Sequence, residues 1–173
     1  MVNVEQALEE IKPFLENKFP RNIVSICEKL NIQVKQTNEF PKDVSGVIYK
    51  ENNNYFILIN STHSVGRKSF TIAHELGHYF LHKEKLDRDS EIVSGSKGVE
   101  YIPRQNITSS SSDEYRQMET EANDFAANIL MPAEEFIEQC KELNSIDDVA
   151  NYFGVSISAA TMRANKLGGL YFL

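Results

Sequence analysis

His74-Glu75-Leu76-Gly77-His78 is an H-E-x-x-H stretch, and its neighbourhood predicts a helix. Ser69-Phe70-Thr71-Ile72-Ala73 leads into it without a Pro or Gly break, and Phe70, Ala73, Gly77, Phe80 and Leu81 recur at helical spacing. Positions i and i+4 share one face of a helix about a turn apart, so His74 and His78 can aim two imidazoles at one metal ion. Glu75 is rotated roughly 100° around the same helix, which sets its carboxylate beside such an ion, where it can take a proton from water. Two neutral nitrogen ligands and an adjacent carboxylate base are what zinc-dependent peptide hydrolysis requires. Gly77 costs a helix about 1 kcal/mol relative to Ala, which points to close approach of another element at the site.

A third ligand is needed. His82 continues the i, i+4 series, but a straight helix rises about 6 Å over four residues, so three successive turns cannot close on one ion at Zn–N distances near 2 Å. Phe80-Leu81 offers no turn to bring it back. His82 is read instead as a helix C-terminal residue, suited there by the macrodipole. The better source lies downstream, where the run from Met118 to Pro132 reads as a second helix. Glu119, Ala122, Asn123 and Ala126 fall on one face of it, and a carboxylate on a small, apolar face calls for a partner. Glu119 is the favoured ligand and Glu121, turned about 200° away, is its rival. Asn123, one turn on from Glu119, is placed to accept the free N–H of a ligand histidine, the usual outer partner of a metal-bound imidazole.

On these residues the chain resembles the ImmA/IrrE family of zinc metallopeptidases, within the thermolysin-like group that uses two His and a downstream Glu. The matching stretches run from Arg67 through His82 and from Glu119 through Pro132. Ile32-Gln33-Val34, Ser45-Gly46-Val47-Ile48 and Phe56-Ile57-Leu58-Ile59-Asn60 resemble the family's strands ahead of the active-site helix. The resemblance implies His74, His78 and Glu119 as Zn2+ ligands and Glu75 as catalytic base. It also implies a dedicated protein substrate, a helix-turn-helix repressor or the antitoxin of a mobile element or stress response. The expected fold is α+β, a zincin-like metallopeptidase domain with a small mixed or antiparallel sheet and a helix-turn-helix-like C-terminal part. A toxin–antitoxin component or binding module with a zinc site, and a DNA-binding regulator, are the alternatives.

The 173 residues suffice for a single domain with a real core. No apolar run approaches the length of a membrane span, and Met1-Val2-Asn3-Val4-Glu5 lacks a basic signal-peptide start. Cys27 and Cys140 lack metal-type spacing and read as reduced, buried thiols, which fits a cytoplasmic protein. The net charge of −7 argues against a nucleic-acid grip by the whole surface.

Outward from the motif, Val4 to Leu15 reads as an amphipathic helix interrupted at Pro13, and Pro20-Arg21 opens a second helix. Val44–Tyr49 and Tyr55–Asn60 read as hairpin strands around the polar turn 50–54. Residues 87–115 read as a flexible insertion: Asp89-Ser90, Ser94–Gly98 and Ser109–Ser112 are turn-like, and Val99–Ile102 could form a short strand. Joining the two ligand helices, this insertion is either a flap over the cleft or a plain surface excursion.

Residues 145–168 have a helix-turn-helix pattern, with Ser145 as a cap, Gly154 in the turn and Gly168-Gly169 as the stop. Arg163, Asn165 and Lys166 are the polar side chains a DNA reader would turn outward, offset by Asp147 and Asp148. Ile146, Val149, Ala150, Phe153, Val155, Ala159, Ala160 and Met162 are too many apolar residues for a freestanding pair of helices. The pair is expected to pack on the main body. For the carbonyl oxygen of a scissile bond, His63, Arg67, Tyr79, Tyr101 and Tyr115 are all conceivable donors.

Overall fold

The computed structural model describes residues 2–89, 91–95 and 109–169. Helix α1 (Val4–Ile11) opens with a capping box in which Asn3 and Gln6 exchange side-chain and backbone bonds of 2.9 and 3.1 Å. Pro13 then tightens the chain into a 3-10 turn over Lys12–Phe14. Helix α2 (Ile23–Lys29) is capped by Asn22, so it starts just after the Pro20-Arg21 pair that the sequence suggested as its opening. Strands β1 (Ile32–Thr37), β2 (Val44–Glu51) and β3 (Asn54–Asn60) follow. Glu51 pairs with Asn54, and the two turn residues Asn52 and Asn53 have φ of 48° and 63°. Both are left-handed, as a two-residue hairpin turn matched to strand twist requires. The hairpin is therefore tighter than the turn over 50–54 read from the sequence.

Helix α3 (Val65–Leu81) carries the motif, with Ser64 as its cap. Helix α4 (Lys83–Asp89) and strand β4 (Glu91–Gly95) come next. The sheet is mixed, in the order β1-β3-β2-β4, with β1 parallel to β3 and the other pairs antiparallel. Helix α5 (Ser109–Leu130) lies across α3, and α6 (Ala133–Glu142), α7 (Ile146–Phe153) and α8 (Ile157–Lys166) complete the fold. The ends of 87–115 are thus regular structure. Ser109–Ser112, expected to be a turn, form the first turn of α5: the weak local preferences of serine yield to a long helix held by packing further along. The expected strand Val99–Ile102 and Tyr101 lie outside the described residues.

One core joins the layers. Ile48, Ile57 and Ile59 from the sheet meet Ile72 and Leu76 of α3, Phe125 and Ile129 of α5, and Phe136 and Phe153 beyond. Cys27 and Cys140 are both free and buried, and burial pushes the Cys27 thiol up to about 12. Among the described residues, no helix is long and apolar enough to cross a membrane.

The C-terminal helix pair docks on this body. A Cβ at Gly66 of α3 would fall 2.7 Å from the Val155 carbonyl carbon, so the turn between α7 and α8 rests directly on the start of α3. Arg163 is not an outward-facing basic residue as the sequence suggested. It is 4% exposed, its Nε donating to the Met131 carbonyl at 3.0 Å and its Nη2 to Asn128 Oδ1 at 2.9 Å. Lys166 pairs with Asp124 of α5. Met162 departs from expectation the other way, at 69% exposed: the face of α8 that meets the body is taken by Ala160, Arg163 and Ala164.

Candidate metal centre

The close approach that Gly77 implies is present. A Cβ on Gly77 would lie 2.9 Å from the Ala122 Cα, so α3 and α5 touch backbone to backbone there. That contact brings Glu119, one turn before Ala122, over the two motif histidines. His74 Nε2 and His78 Nε2 are 3.0 Å apart; Glu119 Oε1 is 3.1 Å from His78 Nε2, and Glu119 Oε2 is 3.5 Å from His74 Nε2. His74, His78 and Glu119 are the group among the described residues whose donor atoms converge in the manner of a metal site, all within 4.8 Å. Tetrahedral bonds of about 2.0–2.1 Å put neighbouring donors about 3.3 Å apart, so the spacing fits one ion such as zinc.

The electrostatics suit a cation. Burial holds the His78 imidazole down to about 4 against the upward pull of Glu119. Burial also opposes charge on His74, but the carboxylates of Glu119 and Glu75 and the bond to Asn123 lift it overall. Glu119 would be raised by burial alone; His74 and His78 outweigh that and hold it at about 2. A carboxylate this firmly ionised beside two imidazole nitrogens is a ready oxygen ligand.

The other side chains expected here divide clearly. Asn123 Oδ1 stands 2.9 Å from His74 Nδ1, where the amide oxygen accepts the ring N–H. Glu75 is fully buried, against β2: a Cβ on Gly46 would lie 3.1 Å from Glu75 Oε1 and 2.6 Å from Thr71 Cγ2. His82 caps α3, as read, and Glu121 stands off the converging group. The two pair with each other instead, His82 Nε2 to Glu121 Oε2 at 3.0 Å, while His82 Nδ1 lies 2.9 Å from His78 Nδ1. Sequence reading placed these residues but missed their link. The signal available was the repeat His74, His78, His82 facing Glu121 on the partner helix.

Of the four conceivable oxyanion donors among the described residues, Tyr115 is the one set at the group. Burial first, then Glu119 and Glu75, raise its phenol, which hydrogen-bonds to Glu119. Tyr79 packs edge-on to Tyr55 at 4.9 Å between centroids, under the Lys83 ammonium. Arg67 donates to Ser45 Oγ at 3.0 Å, and His63, its pKa lowered by burial and by Arg67, sits ahead of α3.

The IrrE N-terminal-like domain, Peptidase_M78, matches residues 27–165. The chain belongs to that family. Its fold is also similar to a solved Mycobacterium tuberculosis transcriptional regulator, with a TM-score of 0.62 at 15% identity, over 94% of this chain and 46% of that one. The chain thus spans less than half the length of that protein, and at this identity the likeness is one of fold. Comparison with curated proteins finds no match. Family and donor cluster together point to a metal-binding member of a metallopeptidase family.

Proposed function

We propose that this M78-family chain is a zinc-dependent endopeptidase with His74, His78 and Glu119 as ligands, Glu75 as base and Asn123 orienting His74. The observation that carries the reading is the convergence of three metal-type donors with a fully buried carboxylate, Glu75, next to one of them. Bound there, the ion supplies a Lewis acid that acidifies water and polarises a carbonyl. Glu75 takes a proton from the attacking water and returns it to the leaving amine. Its carboxylate is fully buried and lies beside Gly46, whose missing side chain leaves room for it. Among the described candidates we assign the developing oxyanion to the Tyr115 phenol, which would turn to it from its hydrogen bond to Glu119.

The substrate class follows from the family resemblance: a helix-turn-helix repressor or antitoxin. The test is incubation of zinc-loaded protein with the helix-turn-helix product of a neighbouring gene, read by mass spectrometry. A discrete cut, absent with Glu75→Gln, is expected; an intact partner across stoichiometries and metals overturns the peptidase reading. A regulatory role without cleavage is the second reading, favoured by the name of the structural neighbour. Direct DNA reading by α8 is disfavoured, because Arg163 and Lys166 are both engaged with α5 or the residue after it.

A further inference from the structure

Behind His78 runs a chain of polar groups that leads from the site to the surface. Gln117 Nε2 donates to Glu121 Oε1 at 2.8 Å; Glu121 Oε2 faces His82 Nε2 at 3.0 Å; His82 Nδ1 faces His78 Nδ1 at 2.9 Å. The members come from both ligand helices, Gln117 and Glu121 from α5, His78 from α3 and His82 from its cap. The His82 side chain is 9% exposed and that of Glu121 35%.

When His78 Nε2 binds a cation instead of donating to Glu119, one set of proton directions satisfies the whole chain. An ionised carboxylate only accepts, so His82 Nε2 carries a hydrogen. A neutral His82 then presents a lone pair at Nδ1, and the 2.9 Å contact is a bond only if His78 Nδ1 carries its hydrogen. That leaves the lone pair of His78 on Nε2, the atom facing His74 and Glu119. With the protons reversed, His82 would set a lone pair against a carboxylate at 3.0 Å, and His78 would turn an N–H into the site.

We propose that His82 is a positioning residue for His78, oriented by Glu121, which fixes the tautomer and ring angle that let His78 bind a metal. A metal-ligand histidine ordinarily gives its second N–H to an oxygen, as His74 does to Asn123. At His78 the acceptor is a second imidazole, itself held by a carboxylate. His82 thus serves the centre without touching the ion, and Glu121, the rival ligand on sequence, has a role of its own. The inference rests on the metal reading above and deepens it.

The test uses the full chain, with zinc affinity measured by chelator competition and the His82 tautomer read from 15N spectra of the zinc-loaded protein. His82→Phe keeps the ring volume and removes the acceptor. Zinc binding weakens by about 10–100-fold, the usual cost of losing such a partner, while saturating zinc still reaches one ion per chain. His82→Asn, whose amide oxygen sits near the old Nδ1 position, recovers most of the loss. In the zinc-loaded wild type His82 is the Nε2–H tautomer, its hydrogen on Glu121 and its Nδ1 lone pair on His78. Unchanged zinc affinity in a folded His82→Phe, or a zinc-loaded wild-type His82 protonated at Nδ1, overturns the proposal. Should His82→Phe fail to fold, Glu121→Ala, at a half-exposed position, carries the same expectations and the same overturning results. If the wild type binds no zinc, the metal reading itself fails, whereas zinc binding that is equal in the wild type and His82→Phe fails this proposal alone.

Discussion

Arg163 in α8 and the His74/His78/Glu119 group between α3 and α5 are both buried polar clusters, yet they are built on opposite plans. Around Arg163, donors face acceptors: its guanidinium meets the Met131 carbonyl and the Asn128 amide oxygen. Between α3 and α5, acceptor-capable atoms face one another, two imidazole Nε2 atoms 3.0 Å apart with a carboxylate across both. Burying polar groups is costly unless they are partnered. The first cluster is complete as protein, so its role is structural. The second converges on a point that a cation completes.

This contrast can be broken by mutation. The largest effect is expected from Glu75→Gln, which keeps the fold and the zinc but removes the base; cleavage should fall by about 10²–10⁴-fold, the usual worth of general base assistance. A Gln variant that loses its metal would make Glu75 a ligand. Next comes Glu119→Ala, which should strip zinc at concentrations that saturate the wild type, whereas His82→Ala and Glu121→Ala still fill at high zinc. Metal analysis after dialysis separates them, and full occupancy in Glu119→Ala would sink the ligand set.

The structural cluster predicts a different readout. Arg163→Ala leaves the Met131 carbonyl without its guanidinium donor and should cost about 2–3 kcal/mol in denaturant unfolding, with no change in zinc affinity. A shift in zinc affinity at equal stability would erase the distinction between the two clusters. Lys166→Ala, at an exposed ion pair, should cost about 1 kcal/mol or less.

Much of this was legible. The H-E-x-x-H spacing, the small-residue face of Glu119, Ala122 and Ala126 and the hairpin asparagines each express a local rule, so they read directly from the chain. The register of α3 on α5 was also foreshadowed, because Gly77 is an expensive helix residue without a close neighbour. What escaped depended on distant contacts. Arg163 reads as basic and exposed until the Met131 carbonyl, 32 residues away, is placed beside it. Glu121 looked like a spare ligand because its partner His82 is on another helix. Helix α6 carried a usable signal that was overlooked: Pro132 at its start, Glu134 and Glu135 in the first turn and Phe136 and Cys140 at helical spacing. The serines opening α5 carried none, since their helicity is imposed by the rest of that helix.

The contact between Gly77 and Ala122 has a thermodynamic consequence. His78 and Glu119 are 41 residues apart in the chain, and the ion proposed between them would work as a reversible cross-link closing that loop. Whatever binds only the folded state adds to its stability by mass action, about 2.7 kcal/mol when the free ligand stands at 100 times its dissociation constant. Chelation should therefore lower the melting temperature as well as the activity. The docking of α5 on α3, and with it the lifetime of the folded chain, would then follow the local supply of zinc.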